Sequence, residues 1–524
     1  EMCDSDWSSD VCSSDLDEDA LRRACALPGV EWTYLRFVRD APDGEGSQEP
    51  GPWRPAAGTF PGWPAAAKDV TLLDPCMGSG HFLVFALPIL VAMRQSEEGL
   101  DLEVAVKAVL RDNLFGLEID QRCTQLAAFN LAFAAWRMIG QVAVLPPVNL
   151  ACSGLSIGVS KQEWMKLADR AVRQADPAAR QDMFGSERTL LNSEVETRMR
   201  NGLERMYDTF AQAPVLGSLI DPRRAGGDIF AADYNALAPV INEALSDGRH
   251  EIAEMAVSAQ GLAKTSEILS KKYTLVSTNV PYLGRSRQSA EMSNYLKNKH
   301  SISSHDLATA FVERVCGQLS DGGSACVVTP QNWLFLGPYK KFREYFLRYL
   351  SWRMLFRLGS GAFEAISGEV VNVCLLTLEN NRPRRDSEMS CLDANFAEYD
   401  EKTSVARSGE IILNSQYKQY ENPNFIIRLE DYADDFPFLS EYANSYAGIC
   451  TGDYPRFGRT FWDLTGFDDG WRPQQTTRDA KGGGSGFSQA ILWENDAGEL
   501  RKYVEEKLGK TAVGSWIRGK NAWG

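Results

Sequence analysis

An apolar strand that runs into a glycine loop and then into a long apolar helix leaves a chain few folds to choose from. Val70-Thr71-Leu72-Leu73 leads into Asp74-Pro75-Cys76-Met77-Gly78-Ser79-Gly80-His81-Phe82, and apolar residues continue at helical density through Met93. Such a unit opens an α/β sheet of the doubly wound kind and brings backbone N–H groups and a helix N-terminus up to a ligand. The two glycines allow close approach, and Asp74 at the strand end can accept hydrogen bonds from an ammonium. No Gly-Lys-Ser/Thr follows, and the third glycine of a dinucleotide fingerprint is missing, so neither a P-loop nor that fingerprint is present. A turn rich in glycine with no ligand is the plainer reading of the same residues.

The next segment repeats the pattern. Leu114-Phe115-Gly116-Leu117-Glu118-Ile119-Asp120 reads as a second strand ending in acids, followed by a helix from Gln121 to Met138. A carboxylate at this tip is where ribose hydroxyls of an adenosine-containing cofactor are held. Asp120 reads as the helix N-cap, which leaves Glu118 for the ribose. A third strand is expected at Pro147 to Cys152.

Farther on, the apolar run Thr274-Leu275-Val276-Ser277-Thr278 ends in Asn279-Val280-Pro281-Tyr282. An amide oxygen and a neighbouring carbonyl can together accept both hydrogens of an exocyclic amine, and the ring can stack on a flat heterocycle. The order Asp-Pro-x-x-Gly-Ser-Gly-x-Phe, Gly-x-Glu-Ile-Asp, Asn-x-Pro-Tyr resembles that of S-adenosylmethionine-dependent adenine-N6 DNA methyltransferases with an Asn-Pro-Pro-Tyr motif. It is most similar to the methylases of type IIG restriction-modification enzymes and of BREX- and DISARM-type phage defence. The likeness runs over about residues 70 to 380, through Ser304-His305-Asp306-Leu307, Thr329-Pro330-Gln331-Asn332-Trp333 and a late hairpin at 363–376. It implies a Rossmann-like methyltransferase sheet with S-adenosyl-L-methionine on Asp74, Pro75, Cys76, Met77, Gly78, Ser79, Gly80 and Phe82, and with Glu118 and Ile119 beside the ribose. It also implies a flipped adenine held by Asn279, Val280, Pro281 and Tyr282, with Phe363 against its edge. Val280 stands where the motif has a first proline; its carbonyl is retained, but the fixed φ is lost and a looser turn is expected.

The remaining expectations are coarser. Residues 1–16 read as a non-native or disordered acidic tail, and 17–68 as a helical remnant and a linker rich in Pro, Gly and Trp. The methyltransferase domain is expected over 69–385, with a helical insertion at about 157–270 facing DNA or a partner. Residues 386–524 are expected to begin an α+β target-recognition region, cut short in a fragment. The acid that touches the cofactor's adenine has no certain position; Asp228 is a candidate and equally a turn aspartate. Lys340, Lys341, Arg343, Arg348, Arg353 and Arg357 stand among aromatic residues and read either as a solvated helix face or as phosphate contacts, with Arg285 and Arg287 beside them.

Net charge of −15 argues against a wholly basic nucleic-acid binder but leaves room for a local basic face. Eleven cysteines without CxxC spacing fit reduced thiols in a cytoplasmic protein, and four histidines form no ligand set, so no metal is expected. The longest apolar run is too short to cross a bilayer. The expected partners are double-stranded DNA and other defence-system subunits. Two further readings remain: a protein-glutamine N5 methyltransferase carrying the same tetrad, and a DNA-binding subunit catalytically weakened at Val280. N4-cytosine methylation usually has Ser, Thr or Asp first, so Asn279 favours adenine.

Overall fold

The structure is a computed structural model. It describes residues 17–40, 51–165, 201, 204–225, 250–362, 371–429, 442, 451, 453–467, 469–474, 488–494 and 497–508. The chain divides into two compact units, Glu1–Asp431 and Tyr432–Gly524.

The first unit begins with helix α1 (Glu18–Ala24), capped by Asp17, and a hairpin of β1 (Phe37–Arg39) and β2 (Trp53–Pro55). Then come β3 (Leu72–Asp74), α2 (His81–Glu98), α3 (Leu102–Asp112), β4 (Leu114–Glu118), α4 (Gln121–Ile139) and β5 (Asn149–Cys152). After the insertion follow α5 (His250–Ser270), β6 (Tyr273–Asn279), α6 (Leu307–Cys316), β7 (Leu319–Pro330), α7 (Lys340–Tyr349), β8 (Ser351–Gly359) and β9 (Val373–Glu379). The last elements are β10 (Glu388–Asp393), α8 (Tyr399–Ser408) and β11 (Ile412–Ser415). Nine strands form one sheet in the order β11-β10-β8-β9-β7-β6-β3-β4-β5.

Alternation along the strands builds the layers. Leu72 and Leu114 pack with Leu83, Leu87, Val106, Val109 and Leu131 of α2, α3 and α4. Leu73 and Phe115, one residue on, join a second core with Ile268 of α5, Val276 of β6 and Val312 of α6. All three residues of β3 are buried, as expected of a strand covered on both faces.

Strands β3, β4 and β5 run parallel, outward in one direction, and β6 and β7 run parallel to β3 on its other side. The winding therefore reverses between β3 and β6, and a crevice opens beyond the carboxyl ends of that pair. Strand β9 is antiparallel to both β7 and β8.

Two expected boundaries need correction. Strand β10 pairs with β8 and β11 with β10, so the sheet continues past 385. The cause is a short buried stretch: Met389 to Leu392 are buried while their polar flanks are exposed, and the flanks dominate the composition. Nor are the described parts of residues 17–68 a bare linker. Arg22 and Arg36 are buried, and their guanidinium groups donate to the carbonyls of Arg407 (2.5 Å), Ala406 (3.1 Å) and Gly409 (2.6 Å) at the C-terminal end of α8. Cations stabilise that end of a helix. Trp63 donates to the Ser324 hydroxyl at 3.1 Å.

Within the insertion, Trp164, Met206 and Phe210 are buried and belong to the main core. Arg314 of α6 reaches the carbonyls of Ile220 and Leu269 at 2.9 and 3.0 Å. Residues 166–200, 202–203 and 226–249, with Asp228 among them, lie outside the described residues, as do residues 1–16.

The second unit contains a three-stranded antiparallel sheet, Gly458–Thr460, Gln489–Leu492 and Trp471–Gln474 in spatial order, and a helix, Glu499–Leu508. Phe457, Ile491, Leu500 and Val504 form its core. The glycine-rich stretch Gly482-Gly483-Gly484-Ser485-Gly486 of the sequence lies outside the described residues.

Candidate active site

The Asp74 loop and the Asn279 turn leave adjacent parallel strands at the same edge of the sheet. Leu73 is in register with Val276, so Asp74 lies one step beyond that pair and Asn279 three steps beyond.

Asp74 is fully buried, and one carboxylate oxygen accepts from the Cys76 N–H at 3.1 Å. Its other oxygen has no hydrogen-bond partner, and neither has the buried Thr278 hydroxyl on β6. Burial pushes the Asp74 carboxyl up to about 7; the nearby Thr278 hydroxyl and the Cys76 N–H pull it down, and Glu118 adds a small push upward. A buried carboxylate with an idle oxygen is poised for a donor, ideally a cationic one.

Pro75 is buried beside it, and Cys76 is half-buried with its thiol pushed up by desolvation. The Met77 N–H donates to the Leu117 carbonyl at 3.0 Å, stitching the loop to β4. Met77 is buried against Gly116, where a Cβ would lie 2.4 Å from its sulfur. Gly78 has φ +53° with open space where a Cβ would be; Gly80 has φ +84° and lies against Ala127 of α4. One glycine thus faces the crevice and the other allows close packing of loop and helix. Asn130 of α4 holds the Ser79 carbonyl at 2.9 Å, and Phe82 is half-buried in the first turn of α2.

Glu118 crosses this loop. One oxygen accepts from the Gly78 N–H at 2.8 Å; the other accepts from Ile119 and Asp120 at 2.9 and 3.1 Å. Asp120 caps α4 by accepting from Arg122 N–H at 2.8 Å, as its position predicts. Ile119 is exposed, and its carbonyl lies so near Gly154 that a Cβ there would come within 2.2 Å.

On the other side of the crevice Asn279 is exposed, and its amide oxygen accepts from the Tyr282 hydroxyl at 3.1 Å. Tyr282 and Pro281 are half-buried. The Val280 side chain is buried in the core, and its N–H donates to the Val328 carbonyl at 3.3 Å. A proline could not make that bond, so the looser turn expected from its absence is offset by one added rung between β6 and β7. The chain after Tyr282 is tied down as well: Leu307 N–H reaches the Leu283 carbonyl at 3.0 Å and Arg285 N–H the His305 carbonyl at 3.1 Å.

Asp306 caps α6 through Ala308 N–H at 2.8 Å, and burial raises its carboxyl. His305 packs edge-on against Tyr339 with centroids 5.9 Å apart, and burial, then Arg285, lowers its imidazole. Burial takes the Tyr339 hydroxyl to about 12. Neither Thr278 nor the His305–Asp306–Tyr339 group is among the sequence-derived site residues. Only the polar cluster at 304–306 ahead of an apolar helix hinted at the latter.

The basic residues separate. Arg285 and Arg287 are exposed on a turn just past the tetrad, and Lys340 and Lys341 are exposed at the end of α7 that follows β7. Arg343 is not available to phosphate: it is fully buried, and it donates to the carbonyls of Trp333, Leu336, Phe425 and Asn424 at 2.7 to 2.9 Å. Aromatic neighbours bury that face of α7, and a guanidinium can satisfy four carbonyls where a lysine cannot. Arg353 is paired with Glu379 and Arg357 with Asp393. Phe363 lies outside the described residues.

Residues 112–363, from the end of α3 through the tetrad, match the model of the Eco57I restriction-modification methylase. That match takes in a little under half of the chain. Over 319 residues the chain is 29% identical to the adenine-specific methyltransferase BrxX of Escherichia coli O9:H4 (strain HS), covering 60% of this chain and 25% of that protein. It is 26% identical over 332 residues to the adenine-specific methyltransferase PglX of Lacticaseibacillus casei (strain Zhang), covering 60% and 24%. The chain thus spans about a quarter of the length of these relatives. Among solved structures, the Type IIL restriction-modification enzyme MmeI in complex with DNA overlaps 86% of this chain and 51% of its own, with TM-score 0.44 and 13% identity. The Type ISP enzyme LlaGI in complex with a DNA substrate mimic overlaps 66% and 23%, with TM-score 0.39 and 13% identity. No helix among the described residues is long and apolar enough to cross a membrane.

Proposed function

We propose that this methylase domain transfers a methyl group from S-adenosylmethionine to N6 of an adenine flipped out of double-stranded DNA, within a restriction-modification or phage-defence system. The single observation that carries this reading is the shared sheet edge of a buried, half-satisfied carboxylate on β3 and an exposed amide oxygen on β6. The residues suit the donor on two counts. The idle oxygen of Asp74 suits its ammonium, and the bare face of Gly78 admits its body past the loop. Glu118 and Ile119 lie on the ribose side, where the carboxylate exchanges the Gly78 N–H for sugar hydroxyls.

S-adenosylmethionine supplies a methyl group on a sulfonium, already activated. The chain's own task is positioning. Extruding the base costs on the order of a few kcal/mol, repaid by contacts in the pocket. Tyr282 stacks on the extruded ring. Asn279 keeps one lone pair on the Tyr282 hydroxyl and offers the other to an N6 hydrogen, while the Val280 carbonyl takes the second. The nitrogen lone pair is thereby drawn out of conjugation and aimed for in-line displacement, with fixed dipoles accommodating the charge that develops on it. Arg285, Arg287, Lys340 and Lys341 hold phosphates beside the crevice.

The test is N6-methyladenine formation in mixed-sequence duplex DNA by the full-length protein with S-adenosylmethionine. Activity abolished by Asn279→Ala, with donor binding kept, supports the reading. Methyl transfer to a glutamine peptide but not to DNA, or donor binding without transfer to either, would overturn it.

A further inference from the structure

The edge of the sheet opposite the tetrad carries a second cationic surface that methyl transfer does not use. Strand β7 enters the sheet there, β8 starts there and β9 ends there, because β9 is antiparallel to both. Gly322 and Val328, the register partner of Asn279, are six positions apart on β7, or about 20 Å at ~3.3 Å per residue. Around that edge lie Arg348 at the end of α7 and Arg382, Arg384 and Arg385 in the β9–β10 loop, all exposed.

In a chain of net charge −15 these four arginines have no carboxylate within ion-pairing distance among the described residues. Three of them are seated on rings. Arg348 and Arg382 lie over Tyr349 at 5.7 and 5.4 Å, and Arg385 lies over Tyr417 at 5.3 Å. The turn carrying Arg382, Arg384 and Arg385 is closed by Arg384 N–H on the Ser387 hydroxyl at 2.8 Å. A guanidinium resting on a ring face keeps its edge donors free and has already lost much of its side-chain freedom. Beside Arg382 lies a hollow of about 550 Å³ lined by Gly62, Asp321, Gly322, Tyr349, Asn380 and Asn381. Amides and an acid on its wall give donors and acceptors for sugar hydroxyls or a base edge, next to forked donors that match phosphate.

We infer that Arg348, Arg382, Arg384 and Arg385, with this hollow, form a second contact for a sugar–phosphate backbone, on the side of the sheet away from the methyl-transfer crevice. A stiff duplex crossing the Asn279 edge does not reach the opposite edge without sharp bending. The second contact therefore takes another segment of nucleic acid or a bent continuation of the first. That these arginines hold a sugar–phosphate backbone rests on their own geometry; that the contact is a second one rests on the methyl-transfer reading.

The experiment compares the full chain with R382E/R384E/R385E, binding a labelled mixed-sequence duplex and its single strand across a salt series. Expected is at least a tenfold loss of affinity at low salt and a fall of about 2 to 3 in the slope of log affinity against log salt. The lysine triple variant should keep most of that slope, and donor binding should be unchanged. The duplex and single-strand arms identify which form the surface takes. Asn279→Ala should leave this binding component intact, so failure of methyl transfer and failure of this surface are separate results. An unchanged salt slope in the glutamate variant overturns the inference. So does polyglutamate displacing the duplex as well as unlabelled duplex does, which would assign the surface to an acidic protein.

Discussion

Asp74→Asn tests the site at its most buried charge. The carboxyl ordinarily titrates near 3.8 and is raised to about 7 in the folded chain, chiefly by desolvation. A folded value above the unfolded one means that burial favours the neutral acid. Its stabilising share is therefore complete below the unfolded value and is lost as pH rises through about 7. The gap corresponds to about 4 kcal/mol at most. In the donor-free protein, resistance to urea should fall between about pH 4 and pH 7, and Asp74→Asn should flatten the part of that fall due to this residue. Comparing the two proteins at each pH cancels every other titrating group. The donor enters with opposite sign: an ammonium beside Asp74 favours the carboxylate, so binding near pH 6 should release a proton, readable by calorimetry in buffers of different ionisation enthalpy. Removing the charge should weaken donor binding by the worth of a charged hydrogen bond, about 1.5–3 kcal/mol, or roughly 10- to 100-fold. Parallel stability profiles for the two proteins, with no proton released on binding, would refute the assignment of Asp74 as the buried donor contact.

Four further outcomes are expected. Val280→Pro removes the N–H that reaches Val328 but stiffens the turn; the opposing effects, each about 0.5–1 kcal/mol, should leave the melting temperature nearly unchanged and methyl transfer intact. Arg343→Ala leaves four carbonyls, one of them fully buried, without their donor and should destabilise by roughly 3 kcal/mol, seen in denaturant midpoint, whereas Lys341→Ala should keep stability and reduce the salt slope of DNA binding by about 1. Tyr282→Phe keeps the ring and loses only the bond to Asn279, so methyl transfer should fall far less than in Tyr282→Ala, measured as single-turnover rate.

The first two strands, their loops and the tetrad were legible because each carries several signals at once: apolar runs, glycines where φ is positive, and acids at strand tips. Glu118 is at the strand tip where the spacing put it, and Asp120 caps as expected. What escaped notice had its cause in partners far along the chain. Arg343 looks like its neighbours until Phe425 and Asn424 close over it. Strand β10 looks polar because only Met389 to Leu392 are inside. Thr278 is a strand residue like any other until Asp74, about two hundred positions earlier, is set beside it. The bond gained by Val280 could be read only from the neighbouring strand.

The grip of Arg22 and Arg36 on the end of α8 has a consequence for synthesis. Arg22 and its acceptor Arg407 are 385 positions apart. At about 5–20 residues per second, a ribosome needs roughly 20 to 80 seconds to cover that interval. Throughout it, both guanidinium groups have their local partners Glu18, Asp19 and Leu35 but lack the carbonyls at the end of α8. A segment made well before its partner is thus among the last to settle, and the first unit closes only when α8 has been made.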